Sequence, residues 1–271
     1  MNKKTLIPVI GLGICASAHS ALLINFQRTS QENNEDGYQN YVADHEVANT
    51  FNTQTFATSF AVTGAANVTI TPSFPSTTDA RVQQMIARSA TQQASWEGDK
   101  TNLLAQWIGT DARTANGGLG TGAPTYMDLS IGGLPAASYS MVSYHHDVEN
   151  MNSNFSMELS TDGGLTFSSL GNGRITNSLA GGQPAENEVL PGSGVNIAGG
   201  NPADLSSTQN VSFNATGDDV VFRYAAIPGE LVHTNFFVLN GLELNQQSVI
   251  PEPSTGLLGL IGVGFLLRRR R

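Results

Sequence analysis

The sequence has 271 residues, a formal net charge of −9 and one cysteine, and only 13% of its residues are charged. A lone cysteine excludes a framework of internal disulfides and a zinc site built from several Cys ligands. Because an acidic chain repels phosphate backbones, the sequence predicts no nucleic-acid partner.

Residues 1–20 have the three parts of a secretion signal: a positive start, an apolar run over residues 6–16, and small residues before a cleavage point. This pattern predicts cleavage by signal peptidase after Ala18 or Ser20 and export of the rest. The apolar run is too short for a retained membrane helix. A lipoprotein signal at Cys15 is the alternative, although a large isoleucine precedes that cysteine.

Residues 21–245 form the predicted exported domain, in which short apolar or alternating runs are separated by turn residues such as Gly132-Gly133 and Gly217-Asp218-Asp219. Many short strands at this spacing predict an all-β fold, an antiparallel β-sandwich. The predicted strands are residues 22–26, 55–62, 68–71 (ended by Pro72), 125–131, 139–144, 155–159, 211–213, 220–224 and 236–244.

Two segments have apolar residues at helical spacing. Val82, Met85 and Ile86 show this spacing within residues 79–90, and a similar pattern occurs in residues 102–108. The sequence therefore predicts one or two short helices on the sandwich.

Three segments of the domain resemble galactose-binding-like, malectin-type jelly rolls. Residues 23–27 resemble their first strand, residues 133–139 are similar to their Gly-Leu-Pro-x-x-x-Tyr corner, and residues 238–244 resemble their last strand. Since that family often binds carbohydrate, the resemblance implies a jelly-roll-like sandwich with a carbohydrate ligand.

Residues 160–167 resemble an Asp-box, with Phe167 where tryptophan is usual. We expect Asp162 to bond its own turn and Gly163-Gly164 to supply positive φ angles. Because the motif occurs once, it predicts a stabilised hairpin and not a sialidase propeller.

Candidate site residues are aromatic side chains and a polar cluster after the strand 139–144. Sugar sites often present an aromatic ring to the flat face of a pyranose, and carboxylate and amide oxygens suit Ca²⁺. The candidate ligand-binding residues are Trp96, Trp107, Tyr144, His145 and His146, and the candidate Ca²⁺ ligands are Asp147, Glu149 and Asn150.

The chain has no serine-nucleophile elbow, zinc-protease pair or phosphate loop, so the sequence predicts a non-enzymatic protein. A polysaccharide-acting hydrolase remains an alternative, and it requires two carboxylates roughly 5 to 9.5 Å apart in a cleft. A matrix protein without a defined ligand is the third hypothesis.

The C-terminal segment, residues 246–271, has a three-part pattern that resembles the PEP-CTERM sorting domain. Pro251-Glu252-Pro253 precedes an apolar run over residues 256–267. Twelve helical residues span about 18 Å, which is less than a hydrocarbon core of about 30 Å, so the run is a marginal anchor. Four terminal arginines follow and are expected to stay on the cytoplasmic side: Arg268, Arg269, Arg270 and Arg271.

The PEP-CTERM resemblance implies transient anchoring in the inner membrane, cleavage near the motif by an exosortase-type enzyme, and release to the cell surface or an exopolysaccharide matrix. The two ends hold six of the 13 basic residues and one of the 22 acidic residues. The part between them therefore carries 7 basic and 21 acidic residues, a net charge of −14.

Overall fold

The computed structural model describes residues 21–29, 34–43, 51–74, 84–87, 101–111, 126–147, 152–176, 208–227 and 236–249. The predicted secretion signal lies outside these ranges, as do Pro251-Glu252-Pro253 and the apolar and arginine parts of the predicted sorting tail. Within the ranges, no helix is long and apolar enough to cross a membrane.

The described residues form fourteen strands and one short helix, α1, at Thr101–Leu104. In chain order the strands are β1 (Ala21–Arg28), β2 (Gln39–Ala43), β3 (Gln54–Phe60), β4 (Gly64–Ser73), β5 (Gln84–Ala87), β6 (Gln106–Asp111), β7 (Tyr126–Gly132), β8 (Ala137–Tyr144), β9 (Asn152–Ser160), β10 (Ser168–Thr176), β11 (Thr208–Ala215), β12 (Val220–Ala226), β13 (Phe236–Leu239) and β14 (Gly241–Val249).

Two large sheets pack face to face as an antiparallel, jelly-roll-like β-sandwich, which confirms the predicted fold class. The five-stranded sheet has the order β11-β8-β14-β1-β2, and the six-stranded sheet has the order β10-β9-β12-β7-β4-β3. Aromatic rings join the sheets: Phe60 meets Tyr139 with ring centroids 5.4 Å apart, and Phe213 meets Phe222 at the same distance. One pairing departs from the antiparallel pattern, since β1 and β2 run parallel.

Strand β7 shows how the sequence positions the two faces of the six-stranded sheet. Met127, Leu129 and Ile131 are fully buried, whereas Tyr126 and Asp128 are only partly buried. Successive side chains of a strand point to opposite faces, so this alternation places the apolar set in the core and the polar set on the outer face.

A third, three-stranded sheet of order β13-β6-β5 includes parts of the two segments predicted as short helices, of which one short helix remains. The helix over residues 79–90 is wrong, because residues 84–87 pair with β6 as strand β5. The helix over residues 102–108 is shortened to α1, and the chain then enters β6, which pairs with both β5 and β13. Non-local strand pairing therefore overrides the local helical spacing of apolar residues.

Several predicted strands change at their ends. Strand β3 ends at Phe60, which leaves Val62 in a turn with 46% of its surface exposed. Pro72 does not end β4, because it lies past the last pair with β3, where β4 has a partner on one side only. The predicted strand 236–244 is two strands separated by Asn240, and β14 continues to Val249, past the predicted domain end at residue 245.

Asn240, between β13 and β14, is a fully buried side chain that joins three segments. Its Oδ1 accepts from the backbone N–H of His146 at 2.6 Å, and its Nδ2 donates to the carbonyl oxygens of Leu104, Gln106 and His146 at 3.3, 2.8 and 3.1 Å. The amide thereby satisfies backbone groups at the points where α1, β6 and β8 end or begin.

A second side-chain amide, that of Gln54 on β3, connects the edges of the two large sheets by bonding to β2. The Gln54 side chain accepts from the N–H of Val42 at 3.1 Å and donates to its carbonyl oxygen at 2.6 Å. Strand β2 is the last strand of its sheet, and an unpaired edge invites association with other chains. The Gln54 amide therefore acts as a partner for this edge at Val42.

We expect Asn240→Ala to lower the free energy of unfolding by about 2 to 4 kcal/mol, because several buried backbone groups lose their partner together. Urea unfolding followed by circular dichroism measures the change. Gln247→Ala is the matched control, since Gln247 is an exposed amide on β14 that bonds only Ser140 among the contacts described, at 2.8 Å. The control should change stability by less than about 0.5 kcal/mol; equal effects of the two variants would contradict the structural role of Asn240.

Candidate functional site

The first residues of the predicted polar cluster, directly after residue 144, are buried and do not form a solvated loop. Strand β8 ends at Tyr144, and the next three residues, His145, His146 and Asp147, have no exposed surface. The other two candidate Ca²⁺ ligands, Glu149 and Asn150, lie outside the described residues. In the part of the chain that the structure describes, no three His, Cys, Asp or Glu side chains are grouped as a metal site.

His145 lies in an aromatic pocket between the sheets. Its ring centroid is 4.5 Å from that of Phe155, and the rings of Tyr224 and Phe237 lie within 6 Å. The Nδ1–H donates to the carbonyl oxygen of Val238 at 2.6 Å, so Nε2 is the acceptor for the Ser143 hydroxyl at 2.8 Å. Burial lowers the pKa of His145 to about 3, and the imidazole is therefore neutral.

Tyr144 belongs to a second buried network, which packs against Leu103 and Leu104 of α1. Its hydroxyl donates to Oε1 of Glu243 at 2.5 Å, and the hydroxyl of Tyr38 donates to the same oxygen. Burial raises the pKa of both phenols, and the nearby Glu243 raises them further, so both remain protonated donors. Tyr144 is thus committed to the interior and not to a surface ligand.

The predicted ligand-binding residues are not on the surface that the structure describes. Trp107 is 1% exposed, and Tyr144, His145 and His146 are fully buried, while Trp96 lies outside the described residues. The structure brings Tyr144, His145 and His146 together as neighbours in the interior. A ligand role for these residues stays a prediction, and the described contacts show them supporting the fold.

A partly exposed cluster that the sequence does not predict lies on the outer face of the six-stranded sheet. Arg223 of β12 binds Asp128 of β7 through two hydrogen bonds of 2.8 Å, from Nε to Oδ1 and from Nη2 to Oδ2. Its guanidinium carbon lies 4.5 Å from the ring centroid of Tyr126 and 4.1 Å from that of Phe167. The side chains of Arg223 and Asp128 are 29% and 20% exposed, so solvent reaches their outer edges.

Strand register explains why these residues meet. Arg223 is paired with Asp128 on one side and with Glu158 of β9 on the other. All three belong to the partly exposed positions of their strands, so they project from the same face. The hydrogen bonds to Asp128 raise the pKa of Arg223, which keeps the guanidinium charged.

The Asp-box hairpin positions Phe167 against this guanidinium. Asp162 Oδ1 accepts from the N–H groups of Leu165 and Thr166 at 3.1 and 2.9 Å, and its Oδ2 accepts from the Thr166 hydroxyl at 2.6 Å. The hydrogen bond from the Ser160 hydroxyl, together with those from Thr166 and Leu165, lowers the pKa of Asp162 to about 2. Gly163 and Gly164 have φ angles of 73° and 88°, which confirms the predicted turn.

A cluster of this kind has the parts needed to bind a polyhydroxylated ligand. Tyr126 and Phe167 contribute apolar ring edges and faces, and the Arg223–Asp128 pair offers charged donors and acceptors side by side. The signal in the sequence was the alternation of β7, which predicts Tyr126 and Asp128 on the side opposite the core. The sequence carried no local sign that Arg223, 95 residues later, would lie beside them.

Comparison with known proteins adds little to this geometry. No protein-family model matches the sequence, and no curated protein matches it. Similar solved structures include a family 35 carbohydrate-binding module from Clostridium thermocellum, with 7% identity, a TM-score of 0.30 and coverage of 65% of this chain and 90% of that chain. The module TmCBM61 in complex with β-1,4-galactotriose has 10% identity, a TM-score of 0.29 and coverage of 66% and 88%.

The K1 cleaved adhesin domain of Lys-gingipain from Porphyromonas gingivalis is a third similar structure, with 11% identity and a TM-score of 0.29. It covers 66% of this chain and 99% of the adhesin domain. Likenesses at these TM-scores leave the function to be inferred from the site.

We expect the protein to lose stability as the pH falls from about 6.5 to about 3, in part because of His145. The unfolded chain protonates this histidine near 6.5, whereas the folded chain resists protonation down to about 3. The unfolded state therefore binds more protons across this window, which favours unfolding by up to about 5 kcal/mol at its acid end. Denaturant unfolding at several pH values measures the loss.

His145→Phe removes this contribution, and the variant should lose less stability than wild type over the same window. His145→Gln, which keeps a donor and an acceptor, provides a second comparison if phenylalanine does not fit. Parallel stability curves for wild type and both variants would show that His145 is not a neutral buried group.

Proposed function

We propose that this chain is an exported bacterial protein of the cell surface or extracellular matrix, and that its β-sandwich binds extracellular polysaccharide without catalysing a reaction. The binding part rests on one observation, the partly exposed cluster of Arg223, Asp128, Tyr126 and Phe167. Aromatic rings pack against the apolar faces of pyranose rings, and charged planar groups bind their hydroxyls.

Export and sorting are supported by the two ends of the sequence. Signal peptidase would remove residues 1–20, and an exosortase-type enzyme would recognise Pro251-Glu252-Pro253 while the tail pauses in the inner membrane. The prolines block helix and sheet next to the membrane, which leaves an extended peptide that an enzyme can reach. The net charge of −14 between the two ends favours solubility outside the cell.

The hydrolase alternative has a weaker basis in the described geometry. Both carboxylate oxygens of Asp128 accept a hydrogen bond from Arg223, so this carboxylate is fixed against the guanidinium rather than facing a second carboxylate across a cleft. Release of reducing ends from a bound polysaccharide would support the alternative, whereas binding without release supports the proposed function.

Arg223→Ala should weaken polysaccharide binding by at least about tenfold. The substitution removes the charged hydrogen-bond donors, and the rings of Tyr126 and Phe167 lose the guanidinium that they contact. Retardation of the native protein in gels that contain soluble polysaccharides measures the effect. Thr55→Ala is the matched control, since Thr55 is an exposed residue of β3 in the same sheet. Equal retardation of wild type and Arg223→Ala would place any binding elsewhere.

The sorting part is tested by the intact mass of the protein recovered from the cell exterior. We expect loss of residues 1–20 and cleavage near Pro251-Glu252-Pro253 in cells that contain the sorting enzyme, and retention of residues 256–271 in cells that lack it. A mature form that keeps these residues in cells with the enzyme would show an ordinary membrane anchor.

A further inference from the structure

The hydrogen-bonding groups of the Arg223–Asp128 pair are only partly used by the pair itself. A guanidinium has five N–H donors, and the contact with Asp128 uses Nε and Nη2. Each carboxylate oxygen of Asp128 accepts one hydrogen bond from Arg223 and has a second lone pair. Donors and acceptors therefore lie next to each other along the exposed edge of the pair.

This arrangement complements two hydroxyl groups on neighbouring carbon atoms. Each hydroxyl both donates and accepts, so one can donate to the carboxylate while the other accepts from the guanidinium. A carboxylate or phosphodiester ligand only accepts hydrogen bonds, and it would meet the Asp128 oxygens with no proton to share. The geometry of the pair thus favours a diol over an anion.

The cluster is also rigid before a ligand arrives. The guanidinium carbon lies over the rings of Tyr126 and Phe167, at 4.5 and 4.1 Å from their centroids, and the two bonds to Asp128 fix the guanidinium plane. The Asp162 turn holds Phe167 in place through its bonds to Leu165 and Thr166. A preorganised site loses little side-chain entropy on binding.

The charge around the pair disfavours an acidic sugar. Asp128 already neutralises Arg223, and Glu158 lies opposite Arg223 in the register of β9 and β12. Arg28 and Arg223 are the two basic residues whose side chains the structure describes, and the chain between the predicted ends has a net charge of −14. Among the side chains that the structure describes, a uronic acid would find no unpaired cation at this cluster, and the net negative charge would repel it at longer range.

We infer that the cluster recognises a pair of neighbouring hydroxyls on an uncharged pyranose within a neutral polysaccharide, an inference that rests on the proposed function. Arg223 and Asp128 bind the diol, and Tyr126 and Phe167 fix the guanidinium and contact the sugar ring. Glu158 and the overall acidity exclude acidic chains.

The test compares a neutral galactomannan, the same galactomannan after O-methylation, and polygalacturonate, each titrated into the full chain in a non-glycosidic detergent. Wild type should bind the neutral polymer at least about tenfold more tightly than either of the others, with little change between low and high salt. Methylation keeps the sugar rings but removes the hydroxyl donors, so it isolates recognition of the diol.

Two variants make the test specific to the pair. Arg223→Lys keeps the charge but loses the planar, two-point geometry, and it should lose about tenfold in affinity for the neutral polymer. Asp128→Asn leaves Arg223 charged without its partner, and it should shift preference toward polygalacturonate with an affinity that falls as salt rises. Thermal unfolding confirms that each variant is folded, and Thr55→Ala is the control.

The outcomes separate the two proposals. Tighter binding of polygalacturonate by wild type, equal binding of methylated and unmethylated polymer, or full binding by Arg223→Lys would overturn this inference while leaving polysaccharide binding in place. No binding of any polysaccharide by wild type would overturn the proposed function and this inference together.

Discussion

The buried amide of Asn240 is the constraint on which the arrangement of the three sheets depends. It occupies the break between β13, which belongs to the small sheet, and β14, which belongs to the five-stranded sheet. Backbone groups at such a break have lost their strand partners, and in a dry interior each would cost free energy if left unmade. One side chain satisfies backbone groups of α1, of β6 and of His146, just past the end of β8, so the chain can change sheets without leaving these groups unpaired in the core.

Side-chain amides and hydroxyls repeat this role elsewhere in the sandwich. Gln246 accepts from the N–H groups of Val62 and Thr63 and donates to the Tyr139 hydroxyl, which ties the β3–β4 turn to the opposite sheet. Tyr139 in turn donates to the carbonyl oxygen of Pro135 at 2.9 Å, at the corner that resembles that of jelly rolls. A chain with few charged residues thus holds its sheets together with neutral polar groups. The charged pair of Arg223 and Asp128 lies on the outer face, where both side chains are partly exposed to solvent.

The sequence revealed the fold more fully than the site, and the reason is physical. Alternation in β7 and the glycine turn after Asp162 are local patterns, and both appear in the structure as expected. Strand β5 was mistaken for a helix because its identity depends on pairing with β6, which local spacing does not record. Trp107 and His145 are residue types that often bind ligands, and the sequence alone does not distinguish that role from packing. Both are buried here, because a closely packed interior also uses large aromatic side chains. The Arg223 cluster joins β7, β12 and a hairpin turn, so no stretch of sequence contains it.

The position of β14 has a consequence for how the chain reaches its folded state. This strand lies between β8 and β1 in the centre of its sheet, and it pairs Asn245 with Ala21 at the other end of the domain. During synthesis from the N-terminus, about 220 further residues must therefore be made before β1 can pair with β14, its antiparallel neighbour. Contacts between residues so far apart in sequence form slowly. Until then the apolar side chains Leu22, Ile24 and Phe26 have no completed sheet to cover them. The domain thus becomes a closed structure only once the residues just before Pro251 have been made, and an incomplete chain keeps the surface that chaperones recognise.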